Sequence, residues 1–147
     1  MSDPLHFEKI PLTQLVQRGL APDLNSSAAV ILVVDDERVI ADTLASILCI
    51  SGYAAFSVYD AQSALEFAAA IVPDLVITDV SMPGMNGVDM AILMKKSHPQ
   101  MKVLLFSGQA ATADLLRAAR DSGHSFKLLS KPVHPSELLA NVSGMVA

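Results

Sequence analysis

The residues of this chain that could do chemistry each follow or end a short apolar run. Asp35 and Asp36 follow ILVV, Asp79 follows LVIT, Ser107 follows KVLLF, and Lys131 follows FKLLS. Carboxylates brought together repel and raise one another's pKa unless a cation lies among them. An all-oxygen ligand set suits a hard divalent ion, above all Mg²⁺ with several waters retained. With a lysine and a hydroxyl beside it, such a site could carry a phosphoryl group on one carboxylate.

The elements that must position these residues alternate along the chain from residue 28 onward. Apolar runs of strand length predict strands, at 29–34, 54–59, 74–79, 102–107 and 126–130. Helical patterns predict helices, at about 38–50, 61–71, 87–97, 111–121 and 135–146. Five strands alternating with five helices predict an α/β fold with a parallel sheet and helices on both faces. The carboxyl ends of parallel strands share one edge, so the acids, the hydroxyl and the lysine should meet there.

Four motifs in order, ILVVDDE, LVITDVSMPGMNG, LLFSG and LLSKP, resemble a response-regulator receiver domain of two-component signalling. The resemblance covers residues 28–147. It implies a flavodoxin-like (βα)5 fold, a doubly wound five-stranded parallel sheet in the order 2-1-3-4-5. It also implies a phosphorylatable switch of bacterial phosphorelay signal transduction rather than a dedicated enzyme. Its chemistry would be Mg²⁺-dependent self-phosphorylation and self-dephosphorylation.

The resemblance assigns a role to each residue of the predicted site. Asp79 would accept the phosphoryl group, Ser107 would be the switch hydroxyl, and Lys131 would bind the phosphate. The Mg²⁺ ligands would be Asp79, Asp36 directly, Asp35 partly through water, and the backbone carbonyl of Ser81. Pro132 matches a proline whose peptide bond is usually cis in the family. Gln109 and Ser81 flank the expected path of the water that removes the phosphoryl group.

The same resemblance implies partners. The phosphodonor would be a histidine kinase or a histidine phosphotransfer protein. The output would be a changed binding face on the fourth helix, fifth strand and fifth helix. Since the sequence ends after the fifth helix, we expect action through a downstream protein target or phosphate relay. Apolar residues in the first and last helices would also suit a homodimer.

One position departs from the family pattern. The family usually has an aromatic residue three positions before the lysine, and Leu128 stands there. In the family this ring normally swings inward when the switch hydroxyl moves, and leucine, with its shorter side chain and no polar tip, cannot take that part. The alternative is a degenerate receiver that binds proteins independently of phosphate. A phosphatase of the haloacid-dehalogenase type is disfavoured, because the first strand ends in Asp-Asp rather than in Asp-x-Asp.

Composition restricts the remaining classes. A chain of 147 residues, 52% hydrophobic and with formal net charge -5, predicts an acidic globular domain that does not bind nucleic acid directly. No apolar run is long enough to span a membrane, and no signal peptide is recognised, so we expect a cytoplasmic protein. The single cysteine, Cys49, lies in the first predicted helix and is expected to be a small residue of the hydrophobic core. Residues 1–27 are expected to form an extension or linker that could include a short helix at 11–20.

Overall fold

The computed structural model describes residues 27–108 and 112–147, in which five strands alternate with five helices. The strands are β1 (Val30–Val34), β2 (Ala54–Val58), β3 (Leu75–Asp79), β4 (Lys102–Ser107) and β5 (Lys127–Ser130). The helices are α1 (Arg38–Ile50), α2 (Ala61–Ala70), α3 (Gly87–Ser97), α4 (Thr112–Asp121) and α5 (Pro135–Val146). All elements predicted within residues 28–147 are confirmed to within about a residue. The extension expected at 1–27 lies, apart from residue 27, outside the described residues.

The five strands are parallel and lie in the order β2-β1-β3-β4-β5, as expected. β3 occupies the centre, and all five of its residues are buried, including Thr78 and Asp79. Helices α2, α3 and α4 pack on one face of the sheet, and α1 and α5 pack on the other. Coverage of both faces explains why the strands are continuously apolar. The sheet edge at the strand carboxyl ends remains the place where polar groups can collect.

Two helices begin at this edge with side-chain caps. The Asp60 carboxylate accepts a hydrogen bond from the Ser63 N–H of α2 at 2.7 Å. The Asn86 side chain accepts one from the Asp89 N–H of α3 at 2.9 Å. Each cap satisfies a backbone donor that the first turn of a helix leaves unpaired. The caps therefore fix where the chain leaves the loops after β2 and β3.

The prediction that Cys49 lies in the core is wrong, because Cys49 is exposed. Helix α1 buries a stripe with helical spacing, formed by Ala41, Leu44, Ala45 and Leu48. Cys49 lies beside that stripe, and its thiol donates to the carbonyl of Ala55 at 3.4 Å.

No helix within the described residues is both long and apolar enough to cross a bilayer.

Candidate functional site

The polar residues predicted at the strand ends do meet at one edge of the sheet. Asp79 is the last residue of β3 and is in register with Phe106 of the neighbouring β4. Asp35 directly follows β1, which lies on the other side of β3. Beyond β5, the Lys131 N–H donates to the carbonyl of Ser107 at 3.1 Å, which keeps the lysine beside β4. Residues distant in sequence are therefore brought together by strand order alone.

Asp35 is a fully buried carboxylate with a partner for each oxygen. It is 0% exposed. Its Oδ1 accepts the N–H of Glu37 at 2.9 Å, and its Oδ2 lies 3.3 Å from Lys131 Nζ. Burial raises the pKa of Asp35, and the Glu37 hydrogen bond and the lysine offset only part of that effect. Asp36, the next residue, is exposed.

Lys131 joins two of the three carboxylates. Its Nζ lies 3.3 Å from Asp79 Oδ2 as well as 3.3 Å from Asp35 Oδ2. Partial burial alone would lower the pKa of Lys131, but the two carboxylates outweigh it and the net pKa is raised. The Phe106 ring lies beneath the ammonium group, 4.9 Å away, and helps to hold it in place. The lysine is therefore protonated and fixed against the carboxylates.

Asp79 is buried but keeps a small exposed surface. Burial raises its pKa, and Lys131 and a hydrogen bond from the main-chain N–H of Ser81 offset part of that effect. The side chain is 8% exposed, in contrast to 0% for Asp35. A carboxylate that keeps some access to solvent and carries a raised pKa fits a group that reacts rather than one that only stabilises the fold.

The three carboxylates fit a divalent cation. One oxygen from each of Asp35, Asp36 and Asp79 lies within 4.8 Å of the others. Asp35 and Asp79 are buried, and among the described residues Lys131 is the one cation that forms ion pairs with them. Hard cations such as Mg²⁺ take oxygen ligands of this kind and keep several waters. The donor set is therefore suited to a hard divalent ion and lacks the nitrogen or sulfur ligands of a zinc site.

Ser107, at the end of β4, has a side-chain partner, Thr112, that was not predicted from the sequence. Its Oγ lies 2.6 Å from Oγ1 of Thr112, the first residue of α4. Both residues are buried, Ser107 being 6% and Thr112 3% exposed. Position 112 was predicted only as part of a helix. One sign of this contact was present in the sequence: Thr112 carries a hydroxyl and stands five positions after Ser107, at the start of a helix.

The loop from β3 to α3 closes tightly beneath Asp79. The N–H of Gly87 donates to the carbonyl of Val80 at 2.8 Å. A Cβ at position 87 would collide with the main-chain oxygen of Asp79 and lie 2.9 Å from Thr78 Oγ1. Thr78 donates to that same Asp79 oxygen at 2.9 Å. Gly87 and Thr78 thus support the site, and neither was singled out from the sequence.

The remaining predicted positions are placed as follows. The Lys131–Pro132 peptide bond is cis, as expected. Leu128 lies on β5, in register with Leu105, and is 37% exposed. Ser81 contributes its N–H to Asp79, while the role of its carbonyl stays a prediction. Gln109 lies outside the described residues.

The family model and the similar proteins all indicate the same family for this chain. The family model described as a response regulator receiver domain matches residues 31–143. NtrC of Azospirillum brasilense, a DNA-binding transcriptional regulator, is 34% identical over 116 residues, which are 79% of this chain and 24% of that protein. The DNA-binding response regulator MtrA of Mycobacterium tuberculosis is 30% identical over 112 residues, 76% of this chain and 48% of that one. The chain thus spans about a quarter to a half of these relatives.

Solved structures agree with the observed fold. A CheY-like receiver domain protein from Methanospirillum hungatei superposes with a TM-score of 0.76 at 27% identity, covering 82% of this chain and 94% of that one. The receiver domain of NtrX from Brucella abortus superposes with a TM-score of 0.70 at 30% identity, covering 79% and 97%. The described fold therefore corresponds to complete receiver domains.

Proposed function

The chain belongs to the response regulator receiver family, and from this premise we propose that it is a two-component signalling switch whose phosphoacceptor is Asp79. Receiver domains are signalling switches and not dedicated enzymes. The observation that carries the assignment is the place of Asp79 at the end of the central strand, 3.3 Å from Lys131 Nζ. Residues 28–147 would form the receiver domain, preceded by an extension or linker at 1–27.

The choice among the three carboxylates follows from their partners. Asp35 and Asp79 both have hydrogen-bond partners, but Asp35 has no exposed surface, so it is poorly suited to attack a donor. Asp36 is exposed and lies after the end of β1, outside the ion pair with Lys131. Asp79 combines residual access, a fixed lysine and a buried setting. It is the carboxylate at which an added phosphoryl group would be held by protein contacts.

The proposed reaction is a direct displacement at phosphorus. An oxygen of the Asp79 carboxylate forms a bond to phosphorus, and the phosphorus–nitrogen bond of a phosphohistidine breaks. The electron pair of that bond stays with the imidazole, which takes a proton from solvent. Lys131 balances charge on the phosphoryl oxygens, and the Ser107 hydroxyl donates a hydrogen bond to one of them. The donor would be a histidine kinase or histidine phosphotransfer protein.

The carboxylate cluster would hold Mg²⁺ during this reaction. Asp36 and Asp79 would bind it directly, Asp35 partly through water, and Ser81 through its carbonyl. The complete burial of Asp35 supports its less direct part. When bound, the ion would offset negative charge on the transferred group. Since three acids face one lysine among the described residues of the cluster, they would repel an incoming phosphoryl group in the absence of a cation.

Phosphorylation would act by shifting a two-state equilibrium. The affected surface would be formed by α4, β5 and α5, and its target would be a protein bound to that face. Leu128 on this surface is a specific reason to retain a second candidate, a phosphate-independent binding module. Leucine has no polar group that could follow a moving hydroxyl. The two candidates differ in whether Asp79 takes up a phosphoryl group at all.

The experiment that separates them is an intact-mass measurement after incubation with acetyl phosphate and Mg²⁺. A single phosphoryl gain in the wild-type protein supports the switch. That gain should be absent in Asp79→Asn and after addition of EDTA. Asp121→Asn, which changes an exposed aspartate at the end of α4, should behave as the wild type. If the folded wild-type protein gains no mass with any divalent ion, the binding module is the better reading.

A further inference from the structure

We propose that Thr112 is a positioning residue that holds the Ser107 hydroxyl toward α4 in the unphosphorylated protein. Phosphorylation would draw Ser107 away from Thr112 and thereby loosen the first turn of α4. This inference rests on the proposed function, because it takes Asp79 as the phosphoacceptor. It supplies a route from the site to α4 that does not need an aromatic residue at position 128.

The first support is the geometry of the two hydroxyls. Ser107 Oγ and Thr112 Oγ1 are 2.6 Å apart, a full-strength distance for a hydrogen bond between oxygens. Ser107 ends β4, and Thr112 begins α4. Both side chains are buried, so water does not readily replace the contact. The hydrogen bond thus joins the edge of the sheet to the first residue of the helix.

The second support is the weak attachment of α4. Within Thr112–Asp121 the only buried residues are Thr112 and Ala119. Leu115 and Leu116 are partly buried against the same cluster as Ala119. A helix with so few buried positions depends strongly on each of them, because tertiary packing supplies most helical stability in proteins. Loss of the Thr112 contact should therefore be felt in the first turn of α4.

The third support is that Ser107 has one hydroxyl proton to give. To donate to a phosphoryl oxygen on Asp79, its Oγ must come within about 3 Å of that oxygen. A serine hydroxyl carries a single donor, and its rotation redirects that donor. Either hydroxyl could donate across the 2.6 Å contact. We infer that Ser107 is the donor, so that it must exchange Thr112 for the phosphoryl group. The Thr112 hydroxyl then loses its contact with Ser107 in a buried position, which favours rearrangement of the helix start.

Leu128 offers no polar contact through which the movement of Ser107 could reach β5. It lies on β5, in register with Leu105 of β4, and its side chain has no hydrogen-bonding atom. It also leaves 37% of its surface exposed. A leucine in this position cannot transmit the movement of a hydroxyl through a polar contact. The hydrogen bond between Ser107 and Thr112 provides a direct alternative from β4 to α4.

The test compares Thr112→Val, which removes the hydroxyl and keeps the shape, with Thr112→Ser, which keeps the hydroxyl. Two quantities are measured in each protein: the rate of phosphorylation by acetyl phosphate with Mg²⁺, and amide hydrogen exchange in α4. In Thr112→Val, Ser107 is no longer held toward α4. We expect phosphorylation to be about three to ten times faster, the range for one neutral hydrogen bond. The first turn of α4 should exchange faster before any phosphate is added.

The wild-type protein should show the same faster exchange only after phosphorylation, and Thr112→Ser should match the wild type throughout. A merely structural role for Thr112 would lower stability without raising the phosphorylation rate. If the wild-type protein is phosphorylated but Thr112→Val leaves rate and exchange unchanged, this inference is overturned alone. If the wild-type protein takes up no phosphoryl group, the proposed function fails and the inference fails with it. Should Thr112→Val not fold, Thr112→Ala is measured with the same outcomes.

Discussion

Gly87 stands directly against the main-chain oxygen of Asp79, where no side chain can fit. The first residue of α3 is thereby pressed onto the end of the central strand. The Gly87 N–H also closes the intervening loop by donating to Val80 at 2.8 Å. The position of the Asp79 carboxylate depends on this close backbone approach as well as on Lys131. A residue without a functional group thus shapes the site.

Gly87→Ala should therefore damage both stability and phosphorylation. The added methyl group collides with backbone, which cannot move as a flexible side chain does, so the loss should be about 1–3 kcal/mol of unfolding free energy. Chemical denaturation measures it. Gly144→Ala is the matched control, since that glycine lies in α5 with open space around it. It should be neutral or stabilise by up to about 1 kcal/mol. Equal behaviour of the two variants would contradict this account of Gly87.

Lys131→Met should slow phosphorylation of Asp79 and destabilise the apo protein. Removal of the ammonium group leaves Asp35 and Asp79 facing each other without a compensating charge, at a cost of about 1–3 kcal/mol. Phosphorylation should fall by at least about tenfold, because charge on the phosphoryl oxygens loses a fixed partner. Lys127→Met, at an exposed position on the same strand, is the control. An unchanged phosphorylation rate in Lys131→Met would remove this lysine from the proposed chemistry.

Mg²⁺ should stabilise the protein through the carboxylate cluster. A ligand that binds only the folded state adds about 1.4 kcal/mol at ten times its Kd. Thermal unfolding should therefore shift upward with Mg²⁺ and return after EDTA. Asp36→Asn should reduce the shift, whereas Asp42→Asn on α1, which is not part of the cluster, should keep it. If Asp36→Asn retains the full response, Asp36 is not a ligand.

Tyr59, which follows β2 at the same edge of the sheet, predicts a pH dependence of stability. Burial, and then the hydrogen bond that its hydroxyl donates to Asp42 at 2.7 Å, raise the pKa of Tyr59 above the ordinary 10.0. The fold thus favours the neutral phenol. Its contribution is complete below about pH 10 and is lost as pH rises through the raised pKa. Difference absorbance titration of wild type against Tyr59→Phe measures this pKa, and Asp42→Asn should lower it. Ionisation at or below the ordinary pKa would contradict the account.

The sheet, and the polar residues that meet at its edge, were predictable because their signals are local. An apolar run that ends in Asp79 or Ser107 indicates both a buried strand and a polar group at its carboxyl end. Parallel strand order then brings those ends together without knowledge of any contact. The same logic correctly placed Asp35 and Lys131, which are separated by 96 positions.

The missed features depend on distances that a one-dimensional pattern does not contain. Thr112 matters because its hydroxyl reaches Ser107, and Gly87 matters because α3 approaches Asp79 closely. The expectation for Cys49 failed because residue type was weighed above helical phase. The buried stripe of α1 ends at Leu48, and Cys49 lies beside that stripe, where it is exposed.

The central claim is that the phosphoryl group is carried by the carboxylate of Asp79, and chemical mapping tests it most directly. After treatment with acetyl phosphate and Mg²⁺, borohydride reduces an aspartyl phosphate to homoserine, which peptide mass spectrometry can locate. We predict homoserine at position 79 in the wild-type protein and at no other aspartate. Homoserine at position 35 or 36, or a stable phosphate on Ser107 in its place, would contradict the account.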